Sequence, residues 1–309
     1  LIKISSLLHH TILQRTGNKQ LADIITGVDA NQSSSISYCH QNIATLQAQY
    51  ISTLKEICVS LSDEYQYFMH NTEIKFGSRK APNFRVIKDI FAILKFNIFS
   101  QKQNDWISVF NHYNVWMWHL LLLFTAARPV SEFPGFLKSF NLKKQILMIS
   151  DKEIGGRQGY GRLIPLNNFI VEEVQKFISF LNYIKRQIAS TYPDSQQYIE
   201  QILESEIPLL NIFNNGKWQT LGPSVVNNFH PELGLQYPNW HRHTARAFLS
   251  NKISEPAILA LFGHEAMQQE SAHPYSSLSF SQYFKITHIL EQMKTHFKIS
   301  GIELHVLTQ

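Results

Sequence analysis

The sequence is poor in the features that mark secreted, membrane-embedded and disulfide-stabilised proteins. It has only 2 cysteines among 309 residues, Cys39 and Cys58, and their spacing fits neither a metal site nor a disulfide framework. The longest nearly apolar run, residues 120–127, is far shorter than the roughly 20 residues that cross a bilayer. We therefore expect reduced thiols, a cytoplasmic protein and no membrane partner.

Signals for nucleotide or metal binding are also missing. The glycine-rich stretch 155–161 is not followed by Lys-Ser or Lys-Thr and opens no helix, so it is not a nucleotide phosphate loop. No acidic cluster of the kind that holds a catalytic metal stands out. The net charge of +5 is a mild basic excess, which permits a polyanionic partner such as nucleic acid without requiring one.

The chain is long enough for two domains. A length of 309 residues exceeds one ordinary core, and a hydrophobic content of 44% is normal for a globular protein. Residues 1–76 predict a helical N-terminal domain with helices within 1–27 and an amphipathic helix over 43–61, whose apolar stripe would form a bundle core. Residues 77–82, GSRKAP, predict a basic linker.

Residues 83–309 predict a second, larger domain that is mainly helical. Its apolar patterns predict helices over 84–99, 112–127, 168–190 and 280–296, with a shorter helix near 197–204. Two short β-prone runs, 145–150 and 162–166, flank the glycine-rich stretch and predict a hairpin. The fold class is therefore mainly α with a small antiparallel β-sheet, an α+β protein.

Candidate chemistry is concentrated near the C-terminus. Arg242 is followed at once by His243, His264 comes 22 residues after Arg242, and Tyr275 comes 11 residues after His264. Arginine forks onto two phosphate oxygens, histidine donates a hydrogen bond or a proton, and tyrosine is a nucleophile that can hold a phosphate covalently. Such a set suits phosphodiester chemistry.

These residues resemble the catalytic domain of the tyrosine recombinase (phage integrase) family. The matching segments are RHTARAFL, LFGH and the tyrosine that follows. Upstream, LLLFTAARPVSEF resembles the family's Leu-Leu-Thr-Gly-x-Arg-x-x-Glu signature at Arg128, although Glu132 follows at four residues where three is commoner. Arg128 would lie in a turn after a buried helix, with Pro129 opening the next helix. Lys152 is the best match to the family's hairpin lysine.

The resemblance implies a site-specific recombinase from a mobile element. Arg128 and Arg242 would clamp the scissile phosphate, and Tyr275 would attack it to form a 3′-phosphotyrosyl bond. Lys152 would protonate the departing 5′ oxygen, and His264 would hydrogen-bond a phosphate oxygen. No cofactor is implied. The partners would be double-stranded DNA, which places the protein at the nucleoid, and further copies of the chain, from dimer to tetramer.

Other polar residues near this site receive supporting roles. His243 would orient Arg242 or help tune the tyrosine. Asn239 stands where the family normally has a histidine, three residues before the second arginine; asparagine can hydrogen-bond a phosphate but cannot shuttle a proton. Further basic residues are candidates for DNA contacts: Arg79, Lys80, Arg157, Arg162, His241 and Arg246.

Two assignments have rivals within the sequence. His243-Thr244-Ala245-Arg246 also reads as His-x-x-Arg, which would make Arg246 the second arginine in place of Arg242. Tyr283 is an alternative nucleophile, although it lies farther from His264 than the family's short segment would place it.

Three other functions also remain open. A DNA-binding protein of this fold that has lost cleavage is suggested by Asn239, and a type IB topoisomerase would use the same chemistry. A metal hydrolase would use His241, His243, His264 and His273, but the sequence lacks the one-turn histidine pair with a glutamate between its members.

Overall fold

The computed structural model describes residues 2–29, 36, 40–58, 75–77, 80–101, 105–150, 161–189, 192–233, 239–250, 252–264 and 278–303. Within these ranges the chain is mainly helical, with three small antiparallel sheets. The expected mainly α fold of the α+β class is confirmed. Among the same residues, no helix is both long and apolar enough to cross a membrane.

The N-terminal part forms a small helical unit. Helix α1 (Ile2–Thr16) is followed by α2 (Lys19–Ile25) and α3 (Ile43–Ile57), and strand β1 (His40–Asn42) pairs with β2 (Lys75–Gly77). The helices were predicted from their apolar periodicity. The two-stranded sheet was not predicted, because its strands are too short to show a pattern.

The apolar stripe of α3 is only partly buried. A small buried cluster from α1 and α2 packs against Leu46, while Tyr50 is 42% exposed and Thr53 is the one buried residue of α3. The predicted core stripe is therefore right for Leu46 and wrong for Tyr50. Gly77 belongs to β2 rather than to a free linker, and the domain boundary at 77–82 stays a prediction.

Helix α5 (Trp106–Thr125) lies at the centre of the larger unit. It is apolar nearly all round, and most of its residues are buried, as its sequence predicted. It packs against α4 (Phe84–Phe99), which has the predicted bounds. Helix α5 begins before His112, the expected start, because Asp105 caps it by accepting a hydrogen bond from the Ser108 backbone N–H.

The segment after α5 differs from the prediction. No helix opens at Pro129; instead the chain turns, beginning with Ala126 in the left-handed conformation at φ 50°. Glu132 also has a left-handed φ, 67°, and Pro134 follows two residues later, so a helix cannot continue here. Arg128 does lie directly after the buried helix, as predicted, but in an irregular segment.

The predicted β-hairpin is present. Strand β4 (Ile146–Ile149) pairs with β5 (Arg162–Pro165) and, on its other edge, with the short β3 (Phe140–Asn141). In this register Ile149 lies opposite Arg162, so Arg162 occupies the end of the hairpin nearest its turn.

A second hairpin was missed. Strands β6 (Asn211–Asn214) and β7 (Lys217–Thr220) are joined by Asn215 and Gly216, whose φ angles are 51° and 74°. An Asn-Gly pair favours this two-residue turn, so the signal was in the sequence. The hairpin is held by α5, where Asn111 accepts from and donates to the backbone of Phe213.

The remaining helices complete the larger unit: α6 (Asn168–Ile188), α7 (Pro193–Leu203), α8 (Pro223–Phe229), α9 (Trp240–Leu249), α10 (Glu255–Phe262), α11 (Phe280–Phe284) and α12 (Ile286–Phe297). Helix α6 matches the predicted long helix. The single helix predicted over 280–296 is divided into α11 and α12. Helix α12 packs against α4 and α6 of the same chain.

Candidate functional site

Two helix C-termini meet beside the first turn of α9. Helix α5 is capped by Ala126 and helix α10 by Gly263, both in the left-handed conformation that closes helices. Each end leads directly to a predicted site residue, Arg128 after Ala126 and His264 after Gly263. Arg242 lies in the first turn of α9, between these two ends.

Arg242 connects the two helix ends. Its side chain is fully buried, at 0% exposure. One terminal nitrogen donates to the Ala126 carbonyl at 2.5 Å, and the other donates to the Phe262 carbonyl and lies 2.9 Å from Nε2 of His264. The guanidinium also lies over the Phe262 ring, 4.7 Å from its centroid. The last carbonyls of a helix lack intrahelical partners, so this charged donor satisfies both ends at once.

The contact with Arg242 determines the tautomer of His264. A guanidinium keeps its protons at any ordinary pH, so Nε2 of His264 must accept and Nδ1 must carry the ring proton. Burial first, and then the positive charges of Arg242, Arg128, Arg246 and Arg162, lower the pKa of His264 to about 3. The imidazole is therefore neutral near pH 7, with its ring proton on Nδ1.

Arg128 and Arg162 lie near the same turn. Both charges act on His264, and Arg128 is half-buried while Arg162 is 9% exposed. A methyl group added to Gly263 would lie 3.2 Å from Cδ and 3.8 Å from Cζ of Arg162. Arg162 therefore packs directly against the backbone that presents His264. The sequence placed Arg162 among the DNA contacts but did not connect it with this turn.

Arg246 is buried, whereas the DNA contact predicted for it requires an accessible guanidinium. It is 2% exposed, and its guanidinium forms a 2.6 Å ion pair with Glu255, the first residue of α10. A DNA contact would require it to give up this buried carboxylate, which is costly. The geometry thus gives Arg246 a structural role, in place of the expected DNA contact, and favours Arg242 over Arg246 as the arginine closest to His264.

His241 is also buried rather than available to DNA. It is 1% exposed, stacks on Trp240 with ring centroids 3.7 Å apart, and its Nε2 lies 2.8 Å from Nδ1 of His119 on α5. Burial first, and then the charge of the partner histidine, lowers the pKa of His241 well below its usual value. The predicted DNA contact is not supported, because the ring joins α9 to α5 in the core. His119 was not singled out in the sequence.

His243 and Lys80 lie on the neighbouring side of α9. Burial first, then the charges of Lys80 and Arg242, lower the pKa of His243 to about 4. Lys80 itself is exposed, and the DNA contact predicted for it stays a prediction. Asn239 is half-buried, and its backbone carbonyl accepts hydrogen bonds from the N–H groups of Arg242 and His243. Its side chain makes no capping bond.

The alternative nucleophile has a structural role. Tyr283 is 1% exposed, and its hydroxyl donates to the Leu163 carbonyl at 2.8 Å, which anchors α11 to β5. Other predicted site residues lie outside the described residues: Arg79, Lys152, Arg157 and Tyr275.

The histidines of the metal-hydrolase alternative point to different partners. His241 contacts His119, and His264 contacts Arg242, while His273 lies outside the described ranges. In the part of the chain that the structure describes, no group of three or more histidine, cysteine, aspartate or glutamate residues is placed to hold a metal ion.

No model of a known protein family matches the chain, and the curated proteins include no significant match.

Proposed function

We propose that the chain is a tyrosine-type site-specific recombinase, the integrase of a mobile element, which cleaves and rejoins double-stranded DNA through a 3′-phosphotyrosyl intermediate. The observation that carries this proposal is the position of Arg242, which contacts His264 and also the Ala126 carbonyl, two residues before Arg128. Cleavage of a phosphodiester adds negative charge to its non-bridging oxygens, and preorganised donors and positive charges stabilise that charge.

The two arginines have different tasks in this proposal. Arg128, which is half-buried, forks onto two phosphate oxygens when the DNA binds. Arg242 is fully buried and bonded to helix carbonyls, so it contributes positive charge and holds Arg128 and His264 in position. His264 donates from Nδ1 to a phosphate oxygen. The two-arginine clamp expected from the sequence thus becomes one direct contact and one positioning residue.

The proposed reaction needs no cofactor, because each bond and proton is accounted for by Tyr275, Lys152, water and DNA. The phenolic oxygen of Tyr275 bonds to phosphorus and its proton passes to water, while the bond from phosphorus to the 5′ oxygen breaks. Lys152 gives a proton to that oxygen. A 5′-hydroxyl from a second duplex then attacks the phosphotyrosine and releases the tyrosine. Exchange between duplexes requires at least two copies of the chain, in line with the proposed dimer to tetramer.

A covalent-adduct assay tests the proposal. The substrates are overlapping duplexes that cover the DNA around the gene, each with a nick close to a possible cleavage site. The short 5′-hydroxyl fragment released by cleavage then diffuses away, so the protein should stay trapped as a detergent-resistant adduct. The Tyr275→Phe variant should bind the same duplexes and form no adduct. Equal adduct yields from both proteins would place the nucleophile elsewhere.

A DNA-binding protein without cleavage is the second candidate. It is favoured by Asn239, which lies one helical turn before Arg242 and has no proton to shuttle. Binding of the nicked duplexes without any adduct would support it over the recombinase. Relaxation of a supercoiled plasmid by a monomer would instead favour a type IB topoisomerase.

A further inference from the structure

We propose that Arg162 is a second phosphate-binding arginine of this site, beside Arg128, and that the absence of a side chain at Gly263 admits it. The inference rests on the proposed function, because the ligand is the phosphodiester whose cleavage is proposed above. It adds a residue from β5, an element that otherwise contributes only the hairpin.

The position of Arg162 is well defined by its surroundings. It begins β5 opposite Ile149, and the next residue, Leu163, accepts a hydrogen bond from Tyr283 at 2.8 Å. The strand is therefore held on one side by its sheet and on the other by α11. A side chain on a strand held from both sides is directed more accurately than one on a loop.

The Arg162 side chain lies against the Gly263 backbone. A Cβ at position 263 would be 3.2 Å from Cδ of Arg162, closer than ordinary van der Waals contact, and 3.4 Å from Nε, at the lower limit of ordinary contact. The guanidinium therefore lies beside the turn that presents His264. Glycine is needed at 263 for two reasons, the left-handed φ of 59° and the close approach of Arg162.

Charge supports the same conclusion. Four guanidinium groups, those of Arg128, Arg162, Arg242 and Arg246, act on the one imidazole of His264. Arg246 is already paired with Glu255, but the other three positive charges around this partly buried turn repel each other, and an anion bound there would interact favourably with them. A tetrahedral oxyanion is the chemical class that arginine forks recognise.

The test compares anion binding by four variants. Arg162→Gln removes the charge, and the control Arg186→Gln removes an exposed charge from α6. Gly263→Ala adds the crowding methyl, and its control Gly216→Ala adds a methyl at a φ of 74° with nothing within 4 Å. Both alanines strain the backbone, but only the one at 263 meets Arg162. Circular dichroism confirms that each variant is folded.

Two probes are used, inorganic phosphate in a thermal-shift titration and a short random-sequence duplex at several salt concentrations. We expect Arg162→Gln to weaken phosphate binding about ten-fold or more, and to lower the slope of log affinity against log salt by about 0.9, the value of one phosphate contact. Gly263→Ala should act in the same direction, while both controls should match the wild type. If Arg162→Gln fails to fold, Arg162→Lys replaces it. This variant keeps the charge, so the slope of log affinity against log salt should stay as in the wild type, while phosphate binding should be weaker because the guanidinium fork is lost.

The outcomes separate this inference from the proposed function. If the wild type forms adducts and Arg162→Gln retains wild-type phosphate binding and salt slope, Arg162 is not a phosphate ligand and the inference fails alone. If Arg162→Gln loses phosphate binding while the wild type forms no adduct, the anion site stands and the recombinase proposal fails.

Discussion

The guanidinium of Arg242 lies 2.9 Å from Nε2 of His264, and it also donates to the Ala126 carbonyl at the end of α5. One buried side chain thereby joins three segments that are far apart in the sequence. Burial first, and then this and the neighbouring arginine charges, lower the pKa of His264 and keep it neutral, and the contact with Arg242 directs its ring proton to Nδ1. The site is therefore held in position from within the core, before any ligand binds.

Arg242→Lys should destabilise the protein although it keeps the charge. A single ammonium group cannot reach the Ala126 and Phe262 carbonyls and His264 together, so at least one charged hydrogen bond is lost. We expect a loss of about 2–4 kcal/mol in the free energy of unfolding, measured by urea denaturation. Arg186→Lys on the exposed face of α6 should change it by less than about 0.5 kcal/mol. Coincident curves for wild type and Arg242→Lys would contradict the bridging role.

Stability should fall in mild acid. Burial lowers the pKa of His119 and His264 to about 3, and that of His243 to about 4, so the unfolded chain binds protons first as the pH falls. The contribution of these neutral histidines to the free energy of unfolding is fully present above about pH 6.5. As the pH falls from there to the folded-state pKa, each histidine loses about 1.4 kcal/mol of this contribution per pH unit. Glu173 has the opposite effect on the free energy of unfolding. Burial raises its pKa from 4.5, so the folded state binds this proton more readily than the unfolded state and is favoured as the pH falls.

Urea denaturation between about pH 7 and pH 5 measures this slope. His119→Gln should make the slope shallower, since one buried neutral histidine is removed. Glu173→Gln should leave the slope of the free energy of unfolding against pH equal or make it steeper, since it removes the carboxyl whose effect opposes that of the histidines. A pH-independent free energy of unfolding over this range would show that the histidines are not held neutral in the folded state.

The C-terminal segment after α12 should be sensitive to a single added methyl. Glu173 accepts a hydrogen bond from the Ile302 backbone N–H, and a Cβ at Gly301 would lie 2.0 Å from Oε1 of Glu173. Gly301→Ala should therefore displace the carboxylate and cost about 1–3 kcal/mol. Gly161→Ala, whose methyl would make ordinary contacts at 3.6 Å, is the control. Equal stability of the two variants would show that the segment is not docked on α6.

Much of the fold could be predicted from periodicity. Helices α4 and α6 have apolar faces that repeat at helical spacing, and β4 and β5 are short apolar runs on either side of a glycine-rich stretch. The hairpin at Asn215-Gly216 was equally available from its turn residues but was missed. Helix α5 begins earlier than the expected start at His112, because Asp105 caps it further upstream.

The site was predictable only in part. The sequence identified Arg128, Arg242 and His264, and the structure brings them to one place. The acceptors of Arg242 are backbone carbonyls, which have no signature in the sequence, so its burial was not foreseen. The pairing of Arg246 with Glu255 also depends on how α9 meets α10, a tertiary relationship that neither helix encodes alone.

Arg128 and His264 should act on the same phosphate and therefore be coupled. We expect Arg128→Gln and His264→Gln each to slow single-turnover cleavage of a nicked duplex by about a hundred-fold. The double variant should be slowed by much less than the product of the two, because the remaining group cannot act fully on a misplaced phosphate. DNA affinity is measured in parallel to separate binding from cleavage. Fully multiplicative effects would indicate that the two residues act independently.

The site of covalent attachment is the most direct test of the proposed recombinase. After digestion of a trapped adduct, peptide mass spectrometry should find the nucleotide on Tyr275, and Tyr283→Phe should give the same adduct, because its hydroxyl is engaged with Leu163. A nucleotide on Tyr283, or no linked tyrosine on any of the duplexes, would contradict the account.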